Sequence, residues 1–175
     1  MSGLPEVARL KRAAVLALLL LAGCAHTRTP AQVLADIDTA RFVLPTDDGQ
    51  VYSLAAHRGQ VVVLQFFATW CVPCLAEVNQ LQKLPARFPG VQVVGVAFDL
   101  DAALTLGAFR RATGVTYPLL IADDATRAGD GPFGRVPEMP TTVVIDRDGV
   151  VRSAFGGLLE DADLDRLIEA AQRPR

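Results

Sequence analysis

The sequence predicts an α/β domain in which helices flank a mixed central sheet. Two apolar runs rich in β-branched residues, "VVVLQFF" at 61–67 and "VQVVGVAF" at 91–98, have the length and composition of strands buried on both faces. Helical segments separate such strands, which implies parallel strands joined by crossover helices. Later, "TTVVID" and "VVRSAF" flank the turn signal "RDG" and add an antiparallel hairpin. We therefore expect a mixed sheet with helices on both of its faces.

The other elements follow in chain order. An N-terminal hairpin is predicted where "RFVL" and "VYSL" flank "TDDGQ". After the first buried strand, apolar residues recur at helical spacing until Pro85 ends the pattern: Leu75, Val78, Leu81 and Leu84. A helix over 102–112, ended by Gly114, precedes the short strand "YPLLIA". Residues 123–140 are rich in glycine and proline and predict a long loop with a short helix. "DADLDRLIEAAQ" predicts a closing amphipathic helix.

Length and composition fit one globular domain with extra segments. The chain has 175 residues, of which 51% are hydrophobic and 21% charged. Its formal net charge is −2, and no basic stretch with interleaved aromatic residues occurs. Nucleic acid is therefore not expected as a partner.

The first 23 residues have the pattern of an export signal. Arg9, Lys11 and Arg12 precede an unbroken apolar run at 13–22. Ten helical residues span about 15 Å, only half of a bilayer core of about 30 Å, so the run is too short for a spanning helix. A basic start, a short apolar run and small residues after it are typical of a secretory signal.

The end of this signal resembles the bacterial lipobox. "LAGC", residues 21–24, implies that Cys24 is acylated and becomes the first residue of a lipoprotein. Residues 24–40 would then be a tether and residues 41–175 the folded domain. Loss of residues 1–23 removes three basic and one acidic side chain and changes the formal charge from −2 to −4. A negative net charge does not attract anionic lipids, so the acyl chains alone would anchor the protein in the membrane. The alternative is an ordinary signal in which Cys24 is incidental.

Two cysteines remain, both in "FFATWCVPC" at 66–74. Cys71 would lie at a helix N-terminus, where unpaired N–H groups and the helix dipole favour an anion. Only the thiolate attacks disulfides. A fall in thiol pKa from about 8.5 to about 7 raises the fraction of the cysteine that is ionised at pH 7 from roughly 3% to about half. Cys74 follows one helical turn later and would resolve the mixed disulfide. The spacing therefore predicts a redox couple.

Two other uses of the cysteine pair are less well supported. A structural zinc site needs four ligands, but a third usable cysteine is lacking and His26 and His57 both precede the pair. We therefore expect no metal. A disulfide across a two-residue gap closes a very small loop and constrains the unfolded chain little, so it would stabilise the fold only slightly.

Residues 41–172 resemble the thioredoxin superfamily and, more narrowly, the bacterial TlpA/ResA-like thiol–disulfide oxidoreductases, which include the cytochrome c maturation reductants. The resemblance rests on "SLAAHRGQVVVLQFFATWCVPCLAE" and "MPTTVVIDRDGVV", present in this order. It implies a thioredoxin sheet with an added strand. It also implies an inserted βα segment between the second buried strand and "MPTT".

The same resemblance implies roles for the site residues. Cys71 corresponds to the exposed nucleophile and Cys74 to the resolving thiol. Trp70 corresponds to the tryptophan that packs beside the active disulfide. Pro140, which directly precedes the strand "TTVVID", corresponds to the cis-proline that faces the disulfide, and the backbone of Met139 would pair with the substrate chain.

Glu77 is a further candidate because it lies three residues after Cys74, on the same helical face. The family carries a glutamate near the disulfide at this position. A partly buried carboxyl group with a raised pKa could exchange the proton of Cys74. The alternative is a solvated acid that stabilises the helix dipole. Gln65 occupies the position of a buried aspartate in thioredoxin. Because glutamine does not titrate, it cannot transfer a proton as that aspartate could, and Glu77 becomes the more important candidate for proton transfer.

These observations predict an extracytoplasmic thiol–disulfide oxidoreductase, most simply a reductase of exported proteins. The disulfide itself would replace a cofactor. The family implies recharging by a membrane electron donor and a role in cytochrome c biogenesis or disulfide repair in the periplasm. Oxidation by the same pair remains open. A thiol peroxidase is disfavoured because its signature places proline and threonine where this chain has Leu64 and Ala68. Copper carriers of similar sequence have a three-residue gap and a later histidine, which this chain lacks.

Overall fold

The computed structural model describes residues 36–173. The predicted export signal, the lipobox with Cys24 and most of the tether lie outside the described residues. Within residues 36–173, no helix combines the length and the apolar character that are needed to cross a membrane.

Strands and helices alternate in the described part of the chain as the sequence predicts. The strands are β1 (Val43–Pro45), β2 (Val51–Ser53), β3 (Val61–Phe67), β4 (Val91–Ala97), β5 (Leu119–Ile121), β6 (Thr141–Ile145) and β7 (Val151–Gly156). The helices are α1 (Val72–Leu81), α2 (Leu84–Arg87), α3 (Ala102–Thr113), α4 (Asp124–Ala128) and α5 (Asp161–Gln172). Short 3-10 turns cover Thr39–Arg41 and Leu54–His57.

The central sheet is mixed, which confirms the predicted fold class. Its five strands have the order β5-β4-β3-β6-β7. β3, β4 and β5 are parallel, whereas β6 pairs antiparallel with both β3 and β7. All seven residues of the central strand β3 are buried. This explains why its sequence is a continuous apolar run rather than an alternating one.

The two faces of the sheet are covered differently. Odd-numbered residues of β3 pack in one cluster with the buried residues of the three longest helices, α1, α3 and α5. Even-numbered residues of β3 pack with the hairpin residues Phe42, Leu44 and Tyr52. The distribution differs from the expected helices on both faces, because the N-terminal hairpin covers much of the second face.

The predicted N-terminal hairpin forms as a separate two-stranded sheet. Within residues 36–173, β1 and β2 pair only with each other, apart from one isolated bridge between Thr46 and Leu120 of β5. The Asp47 carboxylate accepts two hydrogen bonds of 2.9 Å from the Arg110 guanidinium of α3. Arg110 also donates to the Val115 carbonyl at 2.9 Å. A forked, partly buried pair of this kind fixes the hairpin against the edge of the sheet.

The buried face of α1 differs from the predicted apolar stripe. Leu75 is 38% exposed, and the buried residues are Cys74, Glu77, Val78 and Leu81. They follow the i, i+3, i+4, i+7 spacing of a true helical face. The predicted residues Leu75, Val78, Leu81 and Leu84 advance by three and therefore shift around the helix, so only Val78 and Leu81 belong to the buried face of α1. A carboxyl group therefore occupies a position that the sequence pattern would assign to an apolar side chain.

Candidate active site

The cysteine pair lies where β3 leads into α1. Cys71 is the N-cap residue of α1, and Pro73 lies in the first helical turn, where its missing N–H breaks no helical bond. The two sulfur atoms form the Cys71–Cys74 disulfide. The Cys74 N–H donates to Cys71 Sγ at 3.2 Å. The helix N-terminus thus directs a backbone donor at the sulfur of Cys71, which is the environment that favours a thiolate.

The two cysteines differ in their access to a surface groove. Cys71 exposes 5% of its surface and Cys74 only 1%, so Cys71 is less exposed than the exposed nucleophile that the sequence predicts. Cys71 nevertheless lines a groove of about 540 Å³, formed by residues 70–73 and 136–139, and Cys74 does not. Of the two cysteines, only Cys71 therefore contributes to the surface of this groove.

The groove also contains the other residues that the sequence places beside the disulfide. Trp70 lines it but is 74% exposed, so it does not pack tightly against the cysteine pair as expected. The Met139–Pro140 peptide bond is cis. Pro140 is buried, and its carbonyl accepts a hydrogen bond of 2.7 Å from the Gly157 N–H. Met139 lines the groove opposite the residues around Cys71.

Glu77 is buried in the protein interior rather than solvated at the helix surface. It is 3% exposed, and its Oε1 accepts a hydrogen bond of 2.8 Å from the Leu159 N–H. Its Oε2 accepts a hydrogen bond from the Gln65 side-chain amide. Burial raises the pKa of Glu77, and the two hydrogen bonds oppose that shift without cancelling it. A buried carboxyl with a raised pKa is suited to accept and return a proton.

The Glu77 contacts tie three elements to one another. Gln65 belongs to β3, Glu77 to α1, and Leu159 to the loop between β7 and α5. The Gln80 side chain donates to the Leu159 carbonyl at 3.2 Å and strengthens the same connection. Tyr117 lies near enough that the Glu77 charge adds to burial in raising the pKa of its phenol. The carboxyl group is thus held in a fixed, largely apolar environment.

Asp99 is a site residue that the sequence analysis missed. Its buried carboxylate accepts hydrogen bonds from the Thr69 N–H at 3.0 and 3.1 Å and from the Thr69 hydroxyl at 2.6 Å. Thr69 lies two residues before Cys71, so Asp99 fixes the loop that leads into Cys71. The parallel register pairs Phe67 with Ala97, which places the residues two positions beyond each strand side by side. That register depends on which strands pair, so no local feature of the sequence indicates the contact.

The structure brings most of the candidate residues together. Cys71, Trp70 and the segment before Pro140 line one groove, and Cys74 and Glu77 lie on the buried face of α1. The lipid-attachment candidate Cys24 lies outside the described residues. In the part of the chain that the structure covers, no group of three or more histidine, cysteine, aspartate or glutamate side chains is arranged to hold a metal.

The raised pKa of Glu77 predicts a specific dependence of stability on pH. Between the unfolded value of about 4.3 and the raised folded value, the folded protein binds more protons than the unfolded chain. The free energy of unfolding should therefore fall as pH rises through this window and stay lowered above it. Glu77→Gln keeps the shape but does not titrate. Its stability relative to the wild type should rise across the window, by about 1.4 kcal/mol per unit of pKa difference.

Urea unfolding of the oxidised proteins between pH 4 and pH 8 measures this difference. Glu169→Gln, an exposed position on α5, is the matched control and should show no such trend. A Glu77→Gln difference that is independent of pH would show that this carboxyl group has an ordinary pKa in the folded state.

Comparisons with known proteins agree with this geometry. Residues 37–154 match the AhpC/TSA family. The thiol–disulfide oxidoreductase ResA of Geobacillus thermodenitrificans is 31% identical over 173 residues, which cover 93% of this chain and 95% of that protein. The thiol:disulfide interchange protein DsbE of Yersinia pestis is 34% identical over 117 residues, covering 65% of this chain and 58% of that protein.

A solved structure shows the same fold. It is a putative thiol:disulfide interchange protein DsbE from Chlorobium tepidum, with a TM-score of 0.66 and 29% sequence identity. The match covers 77% of this chain and 95% of that one. The five-stranded mixed sheet, the disulfide at the start of α1 and these relatives lead to one conclusion. The chain belongs to the AhpC/TSA family of thioredoxin-like proteins and is a thiol–disulfide oxidoreductase of the ResA/DsbE type.

Proposed function

We propose that this protein reduces disulfides of exported proteins outside the cytoplasm. The observation that carries the proposal is the asymmetry of the cysteine pair. Cys71 opens to the groove, whereas Cys74 is buried on the same helix face as the Glu77 carboxyl group. This arrangement suits an attack from the groove followed by an internal step that is shielded from water.

The reaction would begin with the reduced pair. The Cys71 thiolate attacks one sulfur of the substrate disulfide, that S–S bond breaks, and the departing sulfur takes up a proton. Cys74 then loses its proton, attacks Cys71 Sγ and breaks the mixed disulfide, which releases the second substrate thiol. The substrate gains two electrons and two protons, and the Cys71–Cys74 disulfide is left behind. A membrane dithiol donor would return two electrons and two protons to this pair.

Glu77 is the group we propose for the proton of Cys74. A buried thiol resists ionisation, because a thiolate in apolar surroundings lacks solvation. A nearby carboxylate with a raised pKa is a stronger base than an ordinary one and has a pKa closer to neutral pH. The hydrogen bonds from Leu159 and Gln65 keep it in place through the cycle. Asp99 would act only through Thr69, as a positioning residue.

The location outside the cytoplasm rests on the N-terminal sequence. We propose that residues 1–23 are an export signal, that Cys24 is acylated, and that residues 24–40 tether the domain of residues 41–175 to a membrane. Relatives named ResA and DsbE support a role in disulfide exchange of this kind. Reduction of apocytochrome c or of mispaired exported proteins is the substrate class that the family resemblance favours.

The different burial of the two cysteines predicts different reactivity towards 5,5′-dithiobis(2-nitrobenzoic acid). The reduced form without residues 1–24 should release two thionitrobenzoate ions, since Cys74 resolves the adduct on Cys71. Cys74→Ser should release one and retain a stable adduct. Cys71→Ser leaves only the buried thiol and should react on the order of 100-fold more slowly.

Absorbance at 412 nm follows this reaction. In guanidinium chloride the Cys71→Ser and Cys74→Ser variants should react at equal rates, which shows that burial causes the difference in the folded state. Equal rates for the two folded variants would contradict the assignment of Cys71 as the nucleophile.

The direction of the reaction is a separate prediction. We expect the Cys71–Cys74 pair to have a reduction potential near or below that of thioredoxin, about −270 mV. Equilibration of the form lacking residues 1–24 with glutathione or dithiothreitol buffers measures it. A potential near −120 mV would identify an oxidant that installs disulfides, with the same residues in the same roles.

A further inference from the structure

The groove beside Cys71 has apolar walls and one carboxylate. Its lining side chains are those of residues 70–73 and 136–139. Trp70 and Val72 are 74% and 73% exposed, and both line the groove, so they present apolar surface beside Cys71. Among the described residues that line the groove, Glu138 is the only one with a formal charge. The groove therefore offers contact surface for apolar groups and a single site for a cation.

The Glu138 carboxylate is not neutralised by the protein. Within residues 36–173 it has neither an ion pair nor a hydrogen bond, and only the Glu138 backbone carbonyl is bonded, to the Thr141 hydroxyl at 2.7 Å. The side chain lies over Gly156 of β7, where an added Cβ would come within 2.1 Å of Glu138 Oε1. The missing side chain at Gly156 leaves the space that the carboxylate occupies.

We propose that this groove selects extended polypeptide segments in which apolar residues and a lysine or arginine flank the reactive cysteine. The basic side chain would pair with Glu138, and the apolar residues would pack on Trp70 and Val72. The inference rests on the proposed function, because the groove matters only if Cys71 attacks a polypeptide disulfide. Beyond the proposed function, the inference names the chemical class of polypeptide segment whose disulfide Cys71 attacks fastest.

Two properties of the groove support this occupant. Segment 136–139 runs directly before β6, and neither the N–H nor the carbonyl of Met139 hydrogen-bonds to another backbone group in the described chain. An extended substrate segment can pair with these free groups, as strands do at a sheet edge. An acidic side chain near Glu138 would be repelled, whereas a basic one would be attracted.

Three synthetic peptides test the proposal. Each carries one cysteine with leucine on both sides, and lysine, glutamine or glutamate two positions before and after it. The cysteine is joined to thionitrobenzoate through a mixed disulfide. The Cys71 thiolate attacks the peptide sulfur and expels thionitrobenzoate, and Cys74 then attacks Cys71 Sγ and releases the peptide thiol. The Cys71–Cys74 pair is thereby oxidised to its disulfide, and the mixed disulfide of the peptide is reduced by the same two electrons.

Rates are measured with the reduced full chain in neutral detergent, and a Cys71→Ser chain gives the blank. At low ionic strength the lysine peptide should react about 2- to 5-fold faster than the glutamine peptide, and the glutamate peptide more slowly than both. The preference should shrink at 0.5 M salt. Glu138→Gln should abolish it and Glu138→Lys should invert it. The matched control Glu169→Gln, an exposed acid on α5, should preserve it.

The outcomes separate this inference from the proposed function. Equal rates for the three peptides, or a preference that survives in Glu138→Gln, would overturn the role of Glu138 and leave the disulfide chemistry intact. Bis(2-hydroxyethyl) disulfide, which is small and neutral, is the reference substrate. Each peptide rate is divided by the rate of the same variant with this compound, so that any effect of Glu138→Gln on Cys71 itself cancels. Failure of the wild type to reduce both this compound and all three peptides faster than the blank would overturn the proposed function itself.

Discussion

The site depends on one buried carboxyl group, that of Glu77. Its side chain occupies a core position of α1, where an unpaired charge would be costly. The Leu159 N–H and the Gln65 amide are its hydrogen-bond partners. These two bonds fix the loop after β7 and the central strand relative to the helix that carries both cysteines. The same contacts therefore organise the fold around the disulfide and hold the proposed proton acceptor in place.

A division between the two cysteines follows from this arrangement. Cys71 lies at the helix N-terminus and opens to the groove, where we propose that substrate binding and attack take place. Cys74 lies one turn further along α1, on the buried face that Glu77 shares, so the proposed proton transfer would take place away from solvent. Asp99 accepts a hydrogen bond from the Thr69 hydroxyl and so stabilises the loop that leads into Cys71.

Much of this structure could be predicted from the sequence, because continuous β-branched runs, helical spacing and turn residues are local signals. The strand β3 and the helix α3 with its Gly114 end are examples. The rest depends on which segments meet. The register between β3 and β4 brings Asp99 beside Thr69, in the loop that leads into Cys71. The packing of α1 on the sheet decides that Glu77 rather than Leu75 faces the core. The low exposure of Cys71 likewise follows from the surrounding loops and not from its own motif.

The most direct test of the account is a titration of the Glu77 carboxyl carbon by ¹³C NMR in the oxidised and the reduced protein. The account predicts a pKa above the ordinary range of glutamate in the oxidised protein and a different value in the reduced protein, because Cys74 then exchanges its proton with this group. An ordinary pKa that is the same in both redox states would contradict the account and would reduce Glu77 to a structural residue.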